Sequence, residues 1–211
     1  VHIYGANLPA GLQPRDLNLG AGVTVTAVTS STAQEIVATV NVAGNAVPGL
    51  RDVSVRGTTL VKALPVYDRV DFLKVTPDTS VARLGGLKYA KGYSQFVATG
   101  YANGPDGKPN TADDVPIGPI EADWKIDEFP TVTYDDDKRF VGTMSANALF
   151  TPANEGPNPE RRFSRNNYGE VWVVATAKNE KDRLGQPLTG RSYLVVTVPT
   201  YRRWDQPEVS Q

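Results

Sequence analysis

Two stretches near the end of the chain, "EVWVVATA" at residues 170–177 and "SYLVVTV" at 192–198, decide the fold class. Each is rich in β-branched and aromatic residues, runs seven or eight positions, and is bounded by glycine, asparagine or proline, which is the signature of a buried strand rather than a helix. Four more stretches read the same way: "VTVTAV" (23–28), "IVATVNV" (36–42), "DVSVRG" (52–57) and "SQFVATGY" (94–101). No dozen-residue segment carries an apolar stripe of helical period with caps at its ends. The sequence therefore predicts an all-β protein, most simply a sandwich.

Working outward from the strands, residues 1–65 order as strand, long turn, two strong strands, a turn at "AGNAVPGL" and a further strand, the plan of an Ig-like sandwich domain. Alternation assigns Val25, Val37, Val40, Val53 and Val55 to its core. Residues 66–211 form a second β-sandwich domain with long loops. The join falls near "KALPVYD", where Pro65 interrupts the pattern without a flexible linker, so the expected arrangement is two domains in tandem with a fixed packing.

At 211 residues, with 22 basic and 23 acidic side chains, the chain has neither the charge excess that phosphate binding requires nor the composition of disorder. Nucleic acid is not an expected partner. Cysteine is absent, which removes disulfides, thiolate nucleophiles and thioether attachment of haem. The single histidine, His2, cannot by itself assemble a zinc or copper site or a serine triad. Apolar runs are far shorter than the roughly 20 residues a membrane span needs, so no span is expected. The opening "VHIYGANLP" starts inside a strand without an initiator methionine, which points to a processed chain or part of a longer one.

Chemistry-bearing residues concentrate in the loops. "YANGPDGKPNTADDVPIGP" (101–119) offers Asn103, Asp106, Asn110, Asp113 and Asp114, oxygen donors of the kind calcium takes. Their spacing does not match an EF-hand loop, and a chain of Asx turns, with Thr111 capping one helical turn, explains the same residues. A self-capped structural loop is the expectation; the alternative is a calcium site at Asp106, Asp113 and Asp114. "YDDDKRF" sets Asp135, Asp136 and Asp137 side by side, and "NPERRFSRNNYG" gathers Arg161, Arg162 and Arg165. Pairing between these two loops relieves both charge runs. Carboxylate pairs of the glycosidase kind are possible in principle, with Asp123, Asp127 and Glu128 near Trp124, and solvated loop and edge charges explain them more simply. Trp172 reads as core, Trp124 and Trp204 as surface. The tail "VPTYRRWDQPEVSQ" carries Tyr201, Arg202, Arg203 and Trp204, types common at interfaces.

The runs "NGPDGKPNTADDVPIGPIEADWKIDEFP" and "DDDKRFVGTMSANALFTPANEGPNPERRFSRNNYGEVWVVATA" resemble the C-terminal domain of the large, haem-bearing alpha subunit of bacterial quinohemoprotein amine dehydrogenase. The earlier "LGAGVTVTAVTSSTAQEIVATVNVAGNAVPGLRDVSVRG" resembles the Ig-like domain before it. The resemblance implies a periplasmic or extracellular location and a complex that oxidises primary amines and passes electrons through haem c. In that family a di-haem domain precedes the β domains, and the partners are a propeller subunit and a small subunit carrying a tryptophan-derived quinone. It implies no catalytic and no cofactor-binding residue in this chain, which lacks the cysteines for haem attachment. The role implied is structural, in assembly with other domains or subunits of the redox complex. The competing reading is a free-standing extracellular or periplasmic binding or adhesion module.

Overall fold

In the computed structural model, residues 1–131 and 136–199 are described. About half of the chain is strand, and the longest helix among the described residues is the single turn Asp137–Phe140 (α1). The chain is two Ig-like β-sandwich domains in tandem, built around two separate cores. Compactness divides it into Val1–Phe72 with Gly100–Gly118, and Leu73–Thr99 with Pro119–Gln211.

In the first unit, β1 (His2–Tyr4), β3 (Val23–Ser31) and β4 (Glu35–Val42) make one sheet in the order β1-β4-β3. A second sheet joins β2 (Leu17–Asn18), β5 (Gly49–Val55) and β6 (Thr58–Val66) in the order β2-β5-β6. Between them lie Leu12, Leu17, Ile36, Ala38 and Val55, with Ile3, Leu8, Val25 and Val28 packed at the margin. Val53 is buried, as alternation requires. Val37 is not a core residue: Ile36 and Ala38 point inward, and a period of two turns the intervening valine to the opposite face. Val40 shares the face of Ile36 and is half-buried.

β6 is an edge strand, and Leu60 and Val61 on it are exposed. Pairing with β5 loses register opposite Asp52. There Lys62 takes a positive φ of 53°, and its N–H donates to Asp52 Oδ1 at 2.8 Å, a bulge closed by a side chain.

Further strands are β7 (Phe72–Thr76), β8 (Thr79–Arg83), β9 (Ser94–Gln95), β10 (Val97–Ala102), β11 (Val115–Pro119), β12 (Ala122–Glu128), β13 (Gly142–Met144), β14 (Leu149–Pro152), β15 (Gly169–Lys181) and β16 (Pro187–Thr197). β15 and β16 contain the two stretches that predicted the fold. They pair antiparallel at the centre of the sheet β12-β15-β16-β8, with Val171 opposite Leu194 and Trp172 opposite Tyr193. The short β8 joins β16 in parallel. A sheet in the order β13-β14-β9 and another in the order β11-β10-β7 complete the set.

Inward residues of β15 and β16, Val171, Val173, Ala175, Leu194 and Val196, meet Phe96, Val141 and Phe150 in the core of the second unit. This core places the loops that carry charge. α1 packs against β15, so the aspartates at its start lie beside the first residues of that strand.

Candidate functional site

Loop 157–166 leaves and returns through a narrow neck, where Pro157 bridges Asn166 and the Asn158 N–H donates to the Arg165 carbonyl at 3.1 Å. Inside it, Arg161 turns inward and its side chain is fully buried. Its Nη1 donates to the carbonyls of Asn166 and Tyr168 at 3.0 and 2.8 Å. Its Nη2 donates to Asp136 Oδ1 at 2.8 Å and to Asp137 Oδ1. Arg165 Nη2 reaches the same two oxygens at 2.7 and 3.0 Å. The second oxygen of Asp137 accepts the N–H of Glu170 at 2.9 Å, which ties the pair to the first residues of β15. Two guanidinium groups thus neutralise two carboxylates, as the paired charge runs required.

Gly169 makes room for this arrangement, since a Cβ there would sit 2.1 Å from the Asp137 carboxylate. Burial pushes the Asp136 carboxyl upward, but Arg161 and Arg165 outweigh it and hold it below its ordinary range. Asp135 lies outside the described residues, as does the tail with Tyr201, Arg202, Arg203 and Trp204. Arg162 turns outward with its guanidinium 4.9 Å from the Phe163 ring centre.

The loop at 103–114, in the first unit, is held by its own side chains. Asp106 Oδ1 accepts from the Lys108 N–H at 2.8 Å, an Asx turn, and Asp113 Oδ2 accepts from the Asp106 N–H at 3.2 Å. Thr111 donates its hydroxyl to Asp113 Oδ1 at 2.7 Å and its N–H to Asp114 Oδ2 at 3.0 Å. These contacts hold Asp113 below its usual value, the Thr111 hydroxyl first. The expected helical turn after Thr111 does not form; successive turns replace it. Among the described residues no group of three or more His, Cys, Asp or Glu side chains is placed to hold a metal ion.

The carboxylates near Trp124 do not make an acid–base pair. Asp127 lies between Lys138 Nζ at 2.7 Å and Lys125 Nζ at 3.1 Å, and these ammonium groups lower its pKa from 3.8 to about 2. A general acid needs the opposite shift. Asp123 is largely exposed, with Lys178 3.8 Å away.

The tryptophans trade the places expected of them. Trp124 packs against the core of the second unit, whereas Trp172 stands on the outer face of β15, because its neighbours Val171 and Val173 face in. There it meets Phe129 and Tyr193, with centroids 5.0 and 5.9 Å away, and the Arg191 guanidinium 4.2 Å from its ring. The Tyr193 hydroxyl donates to Glu170, which raises its pKa to about 12. A cleft of about 490 Å³ is lined by Asp137, Arg165, Glu170, Val195 and Thr197 among others. Its charged side chains are already engaged with one another or with Tyr193.

The family model described as quinohemoprotein amine dehydrogenase, alpha subunit domain IV, matches residues 73–209, and that for domain III of the same subunit matches residues 1–68. The chain belongs to the quinohemoprotein amine dehydrogenase alpha-subunit family. The arginine–aspartate cluster and the outer aromatic group therefore both lie in the domain IV part, and the first core in the domain III part. No curated protein sequence matches the chain. Among solved structures, the crystal structure of human protocadherin-24 EC1-2 is similar over 93% of this chain and 92% of its own, at 13% identity and a TM-score of 0.32. A score that low carries no argument.

In domain IV, truncating Arg161 leaves Asp137, which is 6% exposed, with Arg165 as its remaining cation and opens a void where the buried guanidinium stood. Arg161→Ala is expected to cost about 3–5 kcal/mol in denaturant unfolding, the cost of breaking a buried ion pair. Arg165→Ala should cost less, because its side chain is one-third exposed.

Asp127 and Asp136 both titrate below their ordinary values in the folded chain. Each contributes stability above the ordinary carboxylate value, and loses it as pH falls through the folded one. Melting temperature measured against pH should therefore fall as pH drops from about 4 to 2, in the window set by the ordinary 3.8 and the folded value of about 2 for Asp127. Asp127 is 41% exposed, so its part is small and added salt should weaken it.

Proposed function

We propose that the chain is a non-catalytic structural and assembly element of a periplasmic amine dehydrogenase large subunit. Its two family matches run nearly end to end, and that continuity is the observation that carries the reading. The buried Arg161–Asp137 pair supports it, because a rigid loop frame serves docking rather than turnover. Oxidation of the amine, and electron passage through haem c from a tryptophan-derived quinone, belong on this reading to other domains and subunits. The tandem boundary read at residues 65 and 66 is proposed as the join between its two domains.

The test is removal of residues 73–209 from the large subunit. Recovery of the assembled complex and amine-dependent reduction of its haem should both be lost. An intact, active complex without these residues would end the scaffold reading.

A second reading, a free-standing binding or adhesion module, draws on the outer Trp172, Phe129 and Tyr193 group, a surface on which a sugar ring could stack. A glycan array bound by the intact protein and lost with Trp172→Ala would favour it.

We also propose that loop 103–114 works through its internal hydrogen bonds, and that any cation its oxygens took would be a hard one, calcium first. Calcium added after chelation should leave the melting temperature unchanged, since a ligand that binds only the folded state must raise it. A rise abolished by Asp106→Ala or Asp113→Ala would make Asp106, Asp113 and Asp114 a metal site.

A further inference from the structure

β16 ends at Thr197 on the wall of the 490 Å³ cleft. Val195 and Val198 line that cleft together with Tyr168, and two of these side chains stand well out in water, Tyr168 at 44% and Val198 at 41% exposed. Glu170 lines it too, directly across the ladder from Val195, so a carboxylate and an apolar wall lie side by side. Asp137, the other acid of the cleft, already carries Arg161 and Arg165. Glu170 carries no cation: among the described residues its carboxylate takes the Tyr193 hydroxyl, a neutral donor. The cleft therefore suits a large apolar group with a cation beside it.

The chain's own continuation carries that combination. Pro199, next after Val198, is buried, so the chain has not left the domain where the described residues end. Residues 200–211 follow as "TYRRWDQPEVSQ", and the domain IV match runs through them to residue 209, as it would for a part of the domain rather than a linker out of it. In an extended segment alternate residues share a side, so Arg202 and Trp204 project together. From Pro199 to Trp204 five residues reach roughly 17 Å, whereas Val195 to Val198 spans roughly 10 Å. A reversal at Pro199, a residue type that favours turns, returns Trp204 to the cleft with length to spare.

We propose that residues 200–204 double back over the end of β16 and occupy this cleft, with the Trp204 ring against Val195 and Val198 and the Arg202 guanidinium on Glu170. The tail is then a latch that fastens β16 to the start of β15 from outside the sheet. Its aromatic and basic residues serve the domain that carries them, although their composition is also that of an interface. The ring covers apolar surface that the strands leave in water, and the guanidinium gives Glu170 the charge partner that the Tyr193 hydroxyl is not.

The experiment joins cross-linking to thermal unfolding of the full chain. Because the chain has no cysteine, Val195→Cys combined with Trp204→Cys introduces its only thiols, and oxidation should link them within one chain. Thr189→Cys combined with Trp204→Cys, at the far end of the same strand, should not link. Trp204→Ala and removal of residues 200–211 should each lower the melting temperature by roughly 4–8 °C, the size of one buried aromatic side chain in a domain of this length. Arg202→Ala should lower it by less, and that drop should vanish in the presence of Glu170→Gln. A melting temperature unmoved by Trp204→Ala and by the deletion would overturn the proposal. So would a disulfide formed between two chains instead of within one, which would make a second copy the occupant. Equally, if Trp204→Ala weakened association with other subunits at an unchanged melting temperature, the tail would be an interface arm and not a latch.

Discussion

The second domain depends on one buried contact, the pairing of Arg161 with Asp137. Neither residue could be buried alone, because an isolated charge taken from water costs far more than a loop can recover. Together they fix three separate pieces of chain: the single turn that begins at Asp137, the loop that contains Arg161, and the start of β15 through the N–H of Glu170. Core packing supplies the stability of the sandwich, but it says nothing about where the 16-residue connection between β14 and β15 should rest. The ion pair supplies that placement. It is directional, and alternative positions of the loop would leave a charge unpaired.

The same logic operates at a smaller scale in the loop at 103–114. Its aspartates accept the N–H groups that the turns leave without strand partners. Both loops therefore use polar side chains as substitutes for a missing ladder. A chain with this much irregular backbone cannot stay ordered without some such substitute.

Much of this was legible in the residues. β15 and β16 announce themselves because valine repeats on one face, and the charge runs at 135–137 and 161–165 announce each other because opposite charges at that density must meet. The same alternation places Trp172 outside, yet flanking valines invite the opposite reading if hydrophobicity is weighed without parity. β12 hides because "ADWKIDE" alternates with charged residues that look like loop. β6 hides for another reason: over most of its length, at Leu60, Val61 and Ala63, its apolar residues are exposed, so their pattern reports no core. The grouping of Gly100–Gly118 with the first unit is a long-range fact that no local pattern contains. Nor does any local pattern show which arginine is buried. Arg161, Arg162 and Arg165 are chemically alike, and only the path of the loop sends one inward and another out beside Phe163.

The bulge at Lys62 bears on a different matter, the behaviour of the chain at high concentration. A straight edge strand bearing Leu60 and Val61 toward water would offer the next molecule a row of free N–H and carbonyl groups, and sheets would grow from one molecule to another. The left-handed kink breaks that row, and Asp52 on β5 satisfies the Lys62 N–H that the lost register leaves without a ladder partner. A single carboxylate on the adjoining strand thus holds in place the kink that interrupts this edge.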